Sequence, residues 1–185
     1  MIVVNGCASQ IMVQTAPIER VGKNKALVTF LMLSSYLTNS GDYGRSTTPI
    51  EYDIWDGEKF IGALSKDTYI QYSVDQGEHL FIARGGNWSF VKANLSPGKR
   101  YYLYLNVYPR FWGKWGVYLQ PVKSEDKELI SELPSQLSNI KPMSVIDGKS
   151  ENYTKERIGE VKNEIQVFKA NTEYGHSTLA QDDGL

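Results

Sequence analysis

Turn signals recur at short intervals through the middle of this chain, and they limit its fold more than any other feature. Asp56-Gly57, Asp75-Gln76-Gly77, Gly85-Gly86-Asn87 and Ser96-Pro97-Gly98-Lys99 each separate short segments in which apolar and polar residues alternate. Alternation with period two places one set of side chains on a buried face and the other on the opposite face of a strand. Asp-Gly between Ile50–Trp55 and Glu58–Leu64 predicts a hairpin with a type I′ turn, whose two central residues both need positive φ. Further strands are expected at 68–73, 79–84, 88–95, 100–108 and 114–122. The nearly continuous apolar run Ala26–Leu33 reads as a strand buried on both faces. With no crossover helix between these segments, the pattern predicts a mainly β fold, an antiparallel β-sandwich of about 7–8 strands.

The texture changes after Val122. Ser124, Glu125 and Asp126 offer a cap and acidic first-turn residues, and Leu129, Ile130 and Leu133 form an apolar face before Pro134, predicting one short helix. A second, longer C-terminal helix is expected over 153–172, where Ile158, Val161, Ile165 and Phe168 make one apolar stripe. The chain divides into a signal remnant and polar tether at 1–24, a β-sandwich domain with the short helix at 25–133, and a linker, amphipathic helix and polar tail at 134–185.

Composition removes several function classes. The 185 residues carry 20 Lys+Arg against 21 Asp+Glu, so the net charge of −1 gives no broad basic field for nucleic acid. One Cys and two His cannot build a disulfide or a zinc site of the usual Cys/His kind, and no metal or cofactor is expected.

The single cysteine, Cys7, stands in Val4-Asn5-Gly6-Cys7-Ala8, which is similar to the end of a bacterial lipoprotein signal. An aliphatic residue three positions before the cysteine and a small one just before it match that pattern, whereas Asn5 is uncommon in the middle. A secretory signal has a charged start and an apolar region of about 7 to 15 residues, so the resemblance implies a longer leader upstream of Met1. It implies lipidation at Cys7 and a membrane attachment through the lipid alone. Ala8 after the cysteine implies the outer membrane, facing the periplasm.

From about Lys25 to Leu133 the order of motifs resembles an uncharacterised family of bacterial envelope lipoproteins with a PEGA-like or immunoglobulin-like β-sandwich. The matching residues are Trp55-Asp56-Gly57-Glu58-Lys59-Phe60-Ile61-Gly62, Gln76-Gly77-Glu78-His79, Leu95–Leu103 and Val122-Lys123-Ser124-Glu125-Asp126. The departures are Asp75-Gln76, where the family usually has proline, and a longer loop at 34–49. The resemblance implies a fold and an envelope address, and it carries over no catalytic residues.

No residue set argues for catalysis. A Ser-His-Asp arrangement needs a histidine between hydroxyl and carboxylate; His79 follows a turn, where a local ring hydrogen bond is expected, and His176 lies in the tail. The pairs Asp53 with Asp56 and Glu125 with Asp126 read as solvated or capping charges. Aromatic residues crowd the last hairpin instead. Tyr102, Tyr104 and Tyr108 share the strand face opposite Tyr101, Leu103, Leu105 and Val107, with Phe111, Trp112 and Trp115 at the tip. Tyr and Trp supply rigid contact area with a polar handle, so these six residues form the candidate binding surface. The competing expectation is that the 153–172 helix covers the tyrosines. Asn-x-Ser/Thr matches at Asn87, Asn94 and Asn152 mark surface sites only in a glycosylated secreted protein. The sequence thus points to a non-enzymatic envelope lipoprotein that acts as a binding or structural module on an envelope protein. A carbohydrate-binding module recognising envelope glycan through Trp and Tyr is the alternative.

Overall fold

The computed structural model describes residues 11–34, 51–110, 115–171 and 174–185. Cys7, Phe111 and Trp112 lie outside the described residues, as does most of the 34–49 loop. The strands are β1 (Met12–Gln14), β2 (Lys25–Met32), β3 (Tyr52–Asp56), β4 (Lys59–Leu64), β5 (Thr68–Asp75), β6 (Gly77–Arg84), β7 (Trp88–Leu95), β8 (Arg100–Pro109), β9 (Trp115–Pro121), β10 (Lys141–Val145) and β11 (Ser177–Leu179). Helix α1 (Lys127–Ser138) precedes β10, and α2 (Ser150–Ala170) precedes β11.

The strands form two sheets, ordered β1-β10-β5-β2-β8-β9 and β11-β7-β6-β3-β4. They share one core in a sandwich-like arrangement. Phe30 of β2 meets Phe81 of β6 edge-on at 5.2 Å, and both are fully buried. Burying side chains of this size contributes about 1.5–3 kcal/mol each. Strand β2 is buried on both faces, as its apolar run predicts. Ala26, Val28 and Phe30 join the main core, while Leu31 faces the other way, into a smaller cluster with Tyr69, Tyr104 and Leu133.

Eleven strands among the described residues exceed the expected number, and the sheets are mixed rather than antiparallel. β2 runs parallel to β8, β10 parallel to β5, and β11 parallel to β7. Three of the additional strands come from segments read as tether, linker and tail: β1 pairs with β10, and β11 adds to β7. Their pairing uses backbone groups, which polar sequence supplies as well as apolar sequence does.

The hairpin at Asp56-Gly57 also differs from expectation. Asp56 pairs with Lys59, leaving Gly57 and Glu58 as the loop. Only Gly57 has positive φ, at 52°, which fits a II′ turn with glycine first rather than a I′ turn. Helix α1 continues through Pro134 to Ser138 instead of stopping there, with Leu133 buried and Leu137 packed on the small cluster. Asp126, not Ser124, is its N-cap.

Helix α2 covers the outer face of the five-stranded sheet with the predicted stripe. Val161, Ile165 and Phe168 are buried, and the Phe168 ring stacks on Phe90 of β7 at 4.3 Å. Tyr153, in its first turn, packs on Phe60 of β4 at 4.9 Å. None of the described helices is long and apolar enough to cross a membrane.

Candidate functional site

Residues 100–108 alternate as the sequence predicts. Tyr101, Leu103, Leu105 and Val107 are buried in the main core. The opposite face is closed in part by α1, whereas the expected cover was the C-terminal helix. Tyr104 is therefore a packing residue and not part of an open ribbon: it is 1% exposed, and its hydroxyl donates to Gln136 Oε1 of α1. Tyr102 is half-buried beside the same cluster, and burial raises its phenol pKa against the opposing charge of Arg100. Tyr108 stays open at 40% exposure. Its ring is seated over Gly116, where an added Cβ would come within 2.5 Å of Tyr108 Cζ.

Trp115 is half-buried against the main core and forms one wall of a recess of about 400 Å³, together with Tyr52, Asp53, Arg84, Tyr153 and Arg157. At its base lies Asp53, with its side chain 5% exposed. The Tyr153 hydroxyl donates to Asp53 Oδ1 at 2.5 Å, and the guanidinium groups of Arg84 and Arg157 stand 3.5 and 3.7 Å from Oδ2. Burial pushes the Asp53 carboxyl above its ordinary value, with Tyr153, Arg84 and Arg157 pulling the other way. Arg157 lies over the Tyr153 ring at 3.6 Å. The expectation of a solvated Asp53 fails because α2 covers this end of β3.

Asp56, its sequence partner, is also enclosed. His79 Nδ1 sits 2.8 Å from Asp56 Oδ2, and Nε2 sits 2.9 Å from the Asp75 carbonyl oxygen. Both partners can only accept, so both contacts are hydrogen bonds only when the ring is an imidazolium. The bond to Asp56 raises the His79 pKa above its ordinary value, and burial opposes it. The Tyr72 hydroxyl also donates to Asp56 Oδ2, at 3.3 Å; burial and then the Asp56 charge push that phenol far upward. His79 thus makes the expected local bond to Asp75, and it also ties β6 to β3. Since Tyr72 and Asp75 belong to β5, the cluster bridges the two sheets.

The Asp56–His79 pair lines a larger cleft of about 820 Å³, with Leu80, Lys92, Phe168 and Leu179 among its other walls. Among the described residues no group of three or more His, Cys, Asp or Glu is placed to hold a metal. In both clusters the polar groups satisfy one another, which is the arrangement of structural ties.

Sequence reasoning missed the Asp53–Tyr153 pair, whose members come from β3 and α2 and carry no local signal. It missed Asn87 as well. The Asn87 carboxamide accepts from Val117 N at 2.6 Å and donates to Val117 O at 3.0 Å; next to it, Ser89 Oγ accepts from Leu119 N at 2.9 Å. These side chains stand where a neighbouring strand would pair with the outer edge of β9, which makes the Asn87-Trp88-Ser89 sequon part of the fold. No protein-family model matches the chain, and no curated protein or solved structure matches it.

Proposed function

We propose that this chain is a non-catalytic binding module of the bacterial cell envelope, with a PEGA-like or immunoglobulin-like sandwich. In this proposal an acyl chain on Cys7 anchors it to the outer membrane, facing the periplasm. It engages an envelope protein through the hairpin end that carries Phe111, Trp112 and Trp115. The observation that carries the binding reading is the recess beside Trp115. Aromatic walls from Trp115 and Tyr153 stand there with two arginines held by Asp53, and aromatic and arginine side chains dominate binding energy at interfaces. The non-catalytic reading is supported by the His79 ring, whose two nitrogens are both engaged by the fold's own acceptors.

The double variant Trp112→Ala with Trp115→Ala is expected to weaken capture of the partner from envelope extracts at least about fivefold. Unchanged capture removes this surface from the proposal. Cys7→Ser is expected to abolish incorporation of an alkyne-bearing fatty acid in cells expressing the gene with its leader, and persistent labelling overturns the anchor.

The glycan alternative is favoured by the same recess, because planar polar side chains beside aromatic rings suit a sugar's hydroxyls and its apolar ring face. Binding to purified peptidoglycan or lipopolysaccharide that is lost in the double variant would select it over a protein partner.

A further inference from the structure

The larger cleft lies at the other end of β6 from Arg84 and takes no part in the proposed contact. Its origin is the length of α2. That helix ends at Ala170, two residues past Phe168, and leaves Leu80 of β6 only partly covered. Strand β11 forms the far wall with Thr178 and Leu179. The result is a space of about 820 Å³, within the size range of small-molecule sites, whose apolar surface is Leu80 and the rim of Phe168. Ala93 and Leu179 border it through their backbone, their side chains being buried on the inner face of the sheet.

The charges along this cleft are unbalanced. Asp56 and His79 neutralise each other across 2.8 Å, leaving Glu78 against Lys92 and Lys169. Lys92 Nζ lies 5.2 Å from the centroid of the Phe168 ring, and Lys169 is the next residue along α2. Neither lysine has an ion-pair partner among the described residues. Lys92 thus stands over the aromatic ring that closes one side of the trough, and Lys169 lines the same cleft.

We propose that this cleft binds a long-chain carboxylate. The chain lies along Leu80 and the rim of Phe168 against the backbone of β7 and β11, and the carboxylate sits between Lys92 and Lys169. Such a ligand supplies in one molecule the apolar surface and the single negative charge that the cleft lacks. A short anion cannot cover the floor, and an uncharged alcohol of equal length leaves the lysines unpaired.

The test uses the full chain and three probes below their aggregation limits: dodecanoate, dodecanol and acetate, with affinity measured by calorimetry. Dodecanoate is expected to bind saturably and acetate not at all. Changing both lysines, Lys92→Gln with Lys169→Gln, is expected to weaken dodecanoate roughly 10-fold or more, as loss of contacts to charged groups does, and to leave dodecanol unchanged. Thr178→Trp, an exposed position on the cleft wall, is expected to block both long-chain probes with the far-ultraviolet circular dichroism of the parent. The proposal is overturned if dodecanoate fails to saturate the protein, if the double lysine variant binds it as the parent does, or if Thr178→Trp has no effect. None of these readings involves Cys7 or Trp115, so the outcome is independent of the envelope contact.

Discussion

Replacing His79 with glutamine tests whether a proton holds the two sheets together at one end. The ring faces Asp56 and the Asp75 carbonyl, shares Asp56 with Tyr72 and stacks on Phe81; the cations that touch these neighbours are Lys59, over the Tyr72 ring, and Lys25, paired with Asp75. The side chains of His79 and Asp56 are 14% and 13% exposed, so solvent screens their bond weakly. A hydrogen bond to a charged group nets about 1.5–3 kcal/mol. Glutamine can keep one bond, to Asp56 or to the Asp75 carbonyl, but brings no charge and cannot make both, so His79→Gln is expected to cost about 1–2 kcal/mol where the ring is charged. The folded-state pKa is raised above 6.5. The stabilisation is therefore fully present below about pH 6.5 and fades as pH rises through the folded value. Urea denaturation of parent and variant from about pH 5.5 to 8.5 should show the difference in unfolding free energy shrinking toward zero. The chain has only two histidines, so a ring-proton NMR titration with a His176 variant assigns both. A stability difference that is constant across this range, or a His79 titration below 6.5, would refute the proton clamp.

Asn87→Ala is expected to destabilise the fold by about 1–3 kcal/mol, since it strands the buried backbone groups of Val117, and hydrogen exchange at the Val117 amide should quicken. Asp53→Asn removes the charge that Arg84 and Arg157 share while leaving room for the Tyr153 bond. Because Arg84 and Arg157 keep Glu160 and Glu156 as partners, the expected loss is about 1–2 kcal/mol in urea denaturation rather than the larger cost of an orphaned buried charge.

The strands β2 to β9 were legible because their information is local. Alternation and turn residues mark each one, and Tyr101, Leu103, Leu105 and Val107 went to the core as their period requires. The strands β1, β10 and β11 were not legible, since three to five residues joined through backbone groups leave little side-chain pattern. Alternation also states that Tyr102 and Tyr104 share a face without stating which helix arrives on it. The apolar residues of α1 were visible, but the distance that brings Leu133 and Gln136 to Tyr104 is set by the path of the chain after β9. The same limit hid the recess. Asp53 reads as one of two turn-proximal acids until α2 lays Tyr153 and Arg157 against it.

If Cys7 carries the proposed acyl anchor, the early engagement of β1 limits how far the folded body can stand from the membrane. Ile11 is already buried, and its carbonyl accepts from the Ile146 amide, so the leash from Cys7 to Ile11 reaches roughly 14 Å at full extension. On the proposed attachment, the protein would sit against its membrane and sample only partners that come close to it. The leash has reserve length. A pull on Cys7 enters the fold at β1, an outermost strand of three residues that pairs with β10, with Ile11 and Met12 seated in the main core and the Ala63 amide donating to Met12 Sδ. Peeling it back to the start of β2 at Lys25 would release roughly 50 Å of additional chain. This short outermost strand is the element a load would meet first, and the buried side chains of Ile11 and Met12 set its resistance to peeling.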